Sequence, residues 1–422
     1  MALALRRPRA AAAVAAVIAL ALAGCGAGDS GNARLAQTEA SGDGVLRIGM
    51  LLDNAGGQAY LNDAQRAAVE LAVRQANAAG GHKGRPIEFI APTPSTDTAT
   101  AARHLVEAKA DVVIGPTDSS HAPAAIDVLD KAKTVLISPA NLDDTLSSYP
   151  SGGYYFRTAP TESAEGAALA ALAKAGDASS VAILREKGRY GAAIGSAASA
   201  AAKSTGLAEK GSGEFTGHDA RAAAASALAA GADAVIIVAR DDPQAVLAQV
   251  HDGGVPGSKL VLADALVAPY GTGLASSALD GARGLVPGVF PAASFQTDML
   301  KQAPGLADMT FAAEAYDAAS LAILAAADAQ DDGGTSIASH LVLVSGGAIA
   351  PSGQSTAPQR TKCTTLADCL SLEAKGTHVD YDGQSGPIAF DASGDVTTAN
   401  FTVFRYGAEN TARPAGTQSV AR

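Results

Sequence analysis

The sequence predicts an α/β protein built as two similar blocks, each a parallel sheet with crossover helices. Two observations lead there. Short apolar runs alternate with helical patterns from residue 45 onward, the order expected of strand–helix–strand units. A second alternation of the same kind starts after the strand-like YYFR at 154–157, although no residue-level repeat is visible. A third observation concerns function. The stretch 112–141 (VVIGPTDSSHAPAAIDVLDKAKTVLISPAN) reads as strand, Gly-Pro turn, helix, strand and second turn. Its turns hold Thr117, Ser119, Ser120 and Ser138 at the carboxyl ends of strands, where parallel sheets bind ligands.

In the first block, 45–52 (VLRIGMLL) reads as a buried strand and 53–57 (DNAGG) as a loop. Residues 60–79 place Ala64, Ala67, Ala68, Leu71, Ala72 and Ala76 on one helical face. Gly80 and Gly81 stop that helix. A strand at 86–91, a helix at 96–109 and a strand at 111–114 lead into the hydroxyl-bearing stretch. In the second block, helices are expected at 163–175, 190–204, 219–230 and 243–252, with strands at 181–184, 234–238 and 259–262. A strand falls within 282–289, and helices are expected at 307–328, 337–344 and 366–374. The Gly/Ser/Pro-rich stretch 345–361 reads as a loop. Residues 388–406 read as two strands around a glycine turn, and 411–422 as a polar end without structure.

The chain has 422 residues, 48% of them hydrophobic, which is enough for a sizeable core. A net charge of −11 without a basic stripe argues against nucleic acid as a partner. Cys363 and Cys369 stand far from any further cysteine and lack the spacing and ligand number of a zinc site. They read as a short-loop disulfide in an oxidising compartment, or else as two free thiols. The N-terminus favours the first. Arg6, Arg7 and Arg9 precede an apolar run at 10–23 that is too short to span a membrane, and Leu22-Ala23-Gly24-Cys25 follows. This is a secretion signal, and its end resembles the lipobox of bacterial lipoproteins. The resemblance implies that Cys25 is lipidated and becomes the first mature residue. Loss of residues 1–24 would leave the protein three units more negative. Residues 25–44 read as a flexible tether.

Several segments resemble, in order, the type I periplasmic binding proteins of the branched-chain amino acid (Leu/Ile/Val-binding) group, the solute receptors of ABC importers. They are RIGMLLDNAGGQAY, ANAAGGHKGRPIEFI, DVVIGPTDSS, VLISPAN, YYFRTAPTES, RYGAAIG, ADAVIIVA, EAYDAASLAILAA and YDGQSGPIAFDASGD. The resemblance implies two doubly wound, Rossmann-like lobes joined by a three-strand hinge, closing like a flytrap. The expected N-terminal lobe is 45–157 with 286–397, the C-terminal lobe 158–285 with 398–410, and 411–422 a disordered tail. The implied protein is an extracytoplasmic monomer on the outer face of the cell membrane that hands a small polar ligand to ABC permease subunits. No cofactor or metal is expected.

The resemblance also assigns ligand contacts. Ser119, with Ser120 beside it, matches the hydroxyl that holds the ligand carboxylate. Hydroxyls and free N–H groups at a helix start suit an anion without any formal charge. The second turn supplies the Ala140 backbone, with Asn141 nearby. Leu142 stands where amino acid binders carry Thr, which removes a hydroxyl expected on the ligand amine and counts against a standard α-amino acid. Tyr190 matches an aromatic that covers the ligand, Asp264 the acid that binds its ammonium, and Tyr60 an aromatic at the cleft mouth. The plainer readings are helix packing for Tyr190, an unpartnered loop acid for Asp264 and surface stacking for Tyr60.

Catalytic patterns are missing, so the protein is read as a receptor and not an enzyme. Gly383-Gln384-Ser385-Gly386 breaks the nucleophile-elbow spacing, and Gly271-Thr272-Gly273 lacks the third glycine of a dinucleotide loop. The seven histidines include no i, i+4 pair. Asp241-Asp242 and Asp331-Asp332 read as solvated helix caps. Two other functions compete with import: a ligand sensor of the same fold that signals without transport, and a secreted hydrolase.

Overall fold

The computed structural model describes residues 32–36, 40–53, 60–93, 97–347 and 359–421. Cys25, the signal segment and the side chain of Tyr60 lie outside the described residues.

The first sheet contains β1 (Arg47–Met50), β2 (Glu88–Ile90), β3 (Val112–Ile114), β4 (Val135–Ser138) and β5 (Tyr155–Arg157), in the order β2-β1-β3-β4-β5 and parallel throughout. The helices α1 (Tyr60–Ala78), α2 (Thr98–Glu107) and α3 (Ala122–Leu129) connect its strands. The predicted apolar face of α1 is buried from Ala64 to Ala76. Gly81, at φ +69°, returns its N–H to the Ala76 carbonyl and ends the helix.

The second sheet repeats this plan. After α4 (Glu162–Ala175) come β6 (Ser180–Glu186), α5 (Arg189–Ser204), β7 (Ala208–Glu209), β8 (Gly213–Phe215), α6 (Ala220–Ala229), β9 (Ala234–Val238), α7 (Pro243–Asp252), β10 (Leu260–Leu262) and β11 (Arg283–Pro287). Its parallel part runs β7-β6-β9-β10-β11, with β8 also on β6. With β6 as the first strand this is the same 2-1-3-4-5 order as in the first sheet. In each sheet the order reverses beside the first strand, between β1 and β3 and between β6 and β9. Doubly wound sheets bind ligands beyond the carboxyl ends at such switch points.

After β11 the chain returns to the first core. It forms α8 (Ala293–Gln302), α9 (Ala312–Ala329), α10 (Gly334–Val344), β12 (Thr361–Cys363), α11 (Leu366–Glu373) and β13 (Val379–Tyr381). Cys363 and Cys369 are disulfide-bonded and tie β12 to α11. Then β14 (Thr398–Tyr406) runs antiparallel to β11 in the second sheet, and β15 (Ala412–Ala421) runs antiparallel to β14. Helices α1, α9 and α10 pack on one face of the first sheet and α2 and α3 on the other. Helices α4 and α5 cover one face of the second sheet, with α6 and α7 opposite. Small residues let α4 and α5 approach closely: a Cβ on Gly166 would lie 2.4 Å from the Ile194 carbonyl oxygen.

Two stretches that read as unstructured are ordered. Residues 411–422, expected to be a disordered tail, include β15 at 412–421, paired with β14 along its length. The turn before it is set by buried Asn410, whose side chain accepts from Leu279 N–H at 3.0 Å and donates to the Gly271 and Ala275 carbonyls. Backbone pairing stabilises a strand whose side chains are mostly exposed, so no apolar alternation marks it. The described part of the tether also packs. Asn32 caps a 3-10 turn at Ala33–Leu35, and Arg34 is buried with its guanidinium over the Phe156 ring and bonded to the Tyr155 carbonyl. Further on, Ser41, Gly42 and Gly44 donate to Asp331 and Asp332. Both aspartates are therefore buried anchors and not solvated caps.

Candidate functional site between the two switch points

At the first switch point, Asp53 organises the ends of β1 and β3. Its carboxylate accepts from the backbone N–H of Thr117 at 2.9 Å and of Asp118 at 3.1 Å, and lies 2.8 Å from His121 Nδ1. Thr117 Oγ1 accepts from the amide of buried Gln65 at 2.8 Å. Gly115 makes the tight turn possible. It sits at φ +122°, and a Cβ there would lie 2.2 Å from the Leu51 carbonyl oxygen. Its bond to Pro116 is cis.

The two hydroxyl turns are bolted to one another. Ser138 Oγ donates to the Pro116 carbonyl at 2.7 Å and accepts from the N–H groups of Ala140 and Asn141. Asn141 is wholly buried; its amide donates to the carbonyls of Pro116 and Thr117 and accepts from the Tyr155 hydroxyl. These bonds take up the Asn141 side chain and the Ala140 N–H within the framework of the site. Ser119 Oγ accepts from Leu142 N–H at 3.1 Å and Asp143 N–H at 3.3 Å. That arrangement fixes the oxygen and leaves its proton to donate outward. Ser120 is exposed, with its N–H donating to Asp118.

The second switch point presents Tyr190, Arg240 and, one strand further on, Asp264. The Tyr190 hydroxyl donates to Asp264 Oδ1, which also accepts from Ala265 N–H. Burial, then the neighbouring charge of Asp264, pushes the Tyr190 hydroxyl well above its usual range. Beneath them Glu165 is buried. Its Oε1 accepts from Asp264 N–H at 2.9 Å, while Oε2 has no hydrogen-bond partner among the described residues. Burial, reinforced by the charge of Asp264, pushes its carboxyl well above the usual carboxylate range. Sequence reasoning brings Tyr190 and Asp264 forward, and the structure sets them against each other. It does not single out Asp53, Gln65, Glu165 or Arg240. Asp53 and Arg240 each follow the end of a central strand, which was the available signal.

The two carboxyl edges face one another. Arg189 at the start of α5 pairs with Glu162 at 2.7 Å and reaches Asp143 of the other sheet's turn at 3.1 Å. Ser163 donates to Asp144 at 2.7 Å. Below, the chain crosses between sheets. Fully buried Arg157 donates to Asp395 at 2.5 Å and to the Asn141 and Asp143 carbonyls. Thr158 Oγ1 donates to the Glu314 carbonyl and Thr402 Oγ1 to that of Gly288. Burial, reinforced by Asp317, raises the Glu314 carboxyl to about 8.

Away from the site, Asp328, Glu373 and His378 approach metal-like spacing. Asp328 is already engaged by His340, His378 and Arg360, and Glu373 accepts from Val379 N–H at 2.8 Å.

No curated protein matches the chain significantly in sequence. Solved structures do match its fold. The branched-chain amino acid transporter substrate-binding protein LivJ of Streptococcus pneumoniae, in complex with isoleucine, is 19% identical with a TM-score of 0.62, over 90% of this chain and 100% of that one. A leucine-binding protein of Thermotoga maritima is 17% identical with a TM-score of 0.63, over 89% and 99%. An ABC transporter solute-binding protein of R. palustris, in complex with 4-hydroxybenzoate, is 15% identical with a TM-score of 0.62, over 89% and 97%. The family model described as Periplasmic binding protein matches residues 45–412. With that match spanning both sheets and all three crossings, the chain belongs to the periplasmic binding protein family.

Proposed function

We propose that the protein is an extracytoplasmic solute receptor that captures a small polar ligand, an amino acid or a related amide or carboxylate, by closure of its two lobes. It delivers the ligand to an ABC import permease and is held at the outer face of the cell membrane by lipid on Cys25. The observation that carries the reading is the pair of opposed switch points. One offers the Ser119 hydroxyl, with Ser120 beside it. The other offers Tyr190 hydrogen-bonded to Asp264. The solved structures of similar fold include receptors holding an amino acid and an aromatic carboxylate, which supports a ligand of that size. Lobe closure would desolvate the ligand and create the surface a permease reads.

A thermal-shift screen against amino acids, amides and small carboxylates tests the ligand reading, because a ligand bound only by the folded state raises Tm. A rise of several degrees with one class supports it, and no rise with any class contradicts it. The anchor is tested separately by membrane fractionation: Cys25→Ser is expected in the soluble fraction, and a variant that still pellets with membranes removes the lipid from the account.

A further inference from the structure

Arg240 occupies the second switch point, two residues past the end of β9. Its backbone N–H donates at 2.8 Å to Glu186, the last residue of β6, which fastens its loop to the strand across the switch. The guanidinium carbon then lies over the Tyr190 ring, 3.9 Å from the centroid. Arg240 is exposed, and its side chain makes no ion pair among the described residues. By contrast, nearby Arg189 is held by Glu162 and Asp143. An arginine held against an aromatic face keeps a planar fork of donors in a fixed place, and that fork matches a carboxylate. The opposite wall is within its electrostatic reach. Burial raises the Asp118 carboxyl, but bonds from Ser120 and the charges of His121 and Arg240 outweigh burial and hold it below the usual range.

We infer that Arg240 is the second lobe's carboxylate-binding group, and that the ligand is a small organic carboxylate received between its guanidinium and the hydroxyl of Ser119. This rests on the receptor reading above and narrows it. An uncharged amide would leave the guanidinium without an anionic partner in a closed cleft, which is costly. Asp264, whose Oδ1 is taken by Tyr190 and Ala265, keeps Oδ2 for a donor elsewhere on the ligand. The competing role for Arg240 is a latch to Asp118 that joins the lobes and never meets the ligand.

Calorimetric titration of the soluble Cys25→Ser variant, taken as the parent protein, separates these. The probes are isoleucine, benzoate and 4-hydroxybenzoate, each beside its primary amide. The expected result is binding of a carboxylate in preference to its amide, weakened roughly tenfold to a hundredfold in Arg240→Gln, as for a lost hydrogen bond to a charged group. Arg240→Lys should lose less, and Asp118→Asn should leave affinity unchanged or improve it. Affinity within twofold of the parent in Arg240→Gln overturns the inference while the receptor reading stands. So does an equal loss in Asp118→Asn, the mark of a latch, or an amide bound as tightly as its acid. Binding of no probe by the parent protein overturns this inference, and the receptor reading falls with it when the thermal-shift screen is blank as well.

Discussion

Ser119 does two jobs with one hydroxyl. Its oxygen receives the Leu142 and Asp143 N–H groups, and in the proposed site its proton goes to the ligand carboxylate. Ser119→Ala should therefore weaken carboxylate binding by roughly 1–3 kcal/mol and also loosen the second turn. Calorimetry reads the first effect, and a lowered Tm of the ligand-free protein reads the second. Unchanged affinity would remove Ser119 from the site. Glu314 gives a pH signature. Its folded carboxyl is raised to about 8 by burial, against an ordinary value of 4.5. Below about 4.5 the group is protonated in both states and costs nothing. As pH rises toward 8 the unfolded chain releases the proton and the folded one keeps it, so stability falls across that window. Glu314→Gln, which cannot ionise, should match the parent near pH 4 and exceed it by roughly a few kcal/mol at pH 8. Denaturant melts at both pH values check this, and a pH-independent difference would contradict it.

At the scale of elements, the central strands were readable because parallel strands buried on both faces are continuous apolar runs between turn residues. VLRIGM, DVVIG, TVLIS and ADAVIIV all behave so. Among the elements that escaped, α8 and β13 do bury apolar side chains, Phe295 and Met299 in the one and Val379 and Tyr381 in the other, while β7 and β15 are held by backbone pairing more than by side-chain burial. β7 has two exposed residues and β15 is largely exposed, so neither carries an apolar alternation. The expected strand around Phe390 is a single bridge to Val396. The Gly-Pro turn of the site was legible because its glycine and hydroxyls are typical of a strand-to-helix turn. Arg240 and Asp53 were not, because a charged residue after a strand looks like solvated loop until the sheet order shows which loops meet. β15 also protects β14. Deletion of 412–421 should expose the β14 edge, lower Tm by several degrees and promote association through the open strand, as seen by calorimetry and size-exclusion chromatography. A truncated protein as stable as the parent and no more associated would make β15 dispensable.

For the whole molecule, two sheets of one topology point their switch points at each other across three chain crossings. The crossings are braced by buried side chains, Arg157 to Asp395 and Thr158 to the Glu314 backbone. The N-terminal stretch that reads as a loose tether is docked on the first lobe through Arg34 and through Asp331 and Asp332. A lipid on Cys25 would thus hold that lobe near the membrane and leave the second lobe as the moving part. Capture by closure requires one ligand to touch both switch points at once. Hydrogen–deuterium exchange with and without a saturating carboxylate tests this most directly. The expected result is simultaneous protection of peptides covering 115–121 and 138–143 in the first lobe and 186–191, 239–242 and 263–266 in the second. Protection confined to one lobe, or spread evenly without these loops, would contradict it.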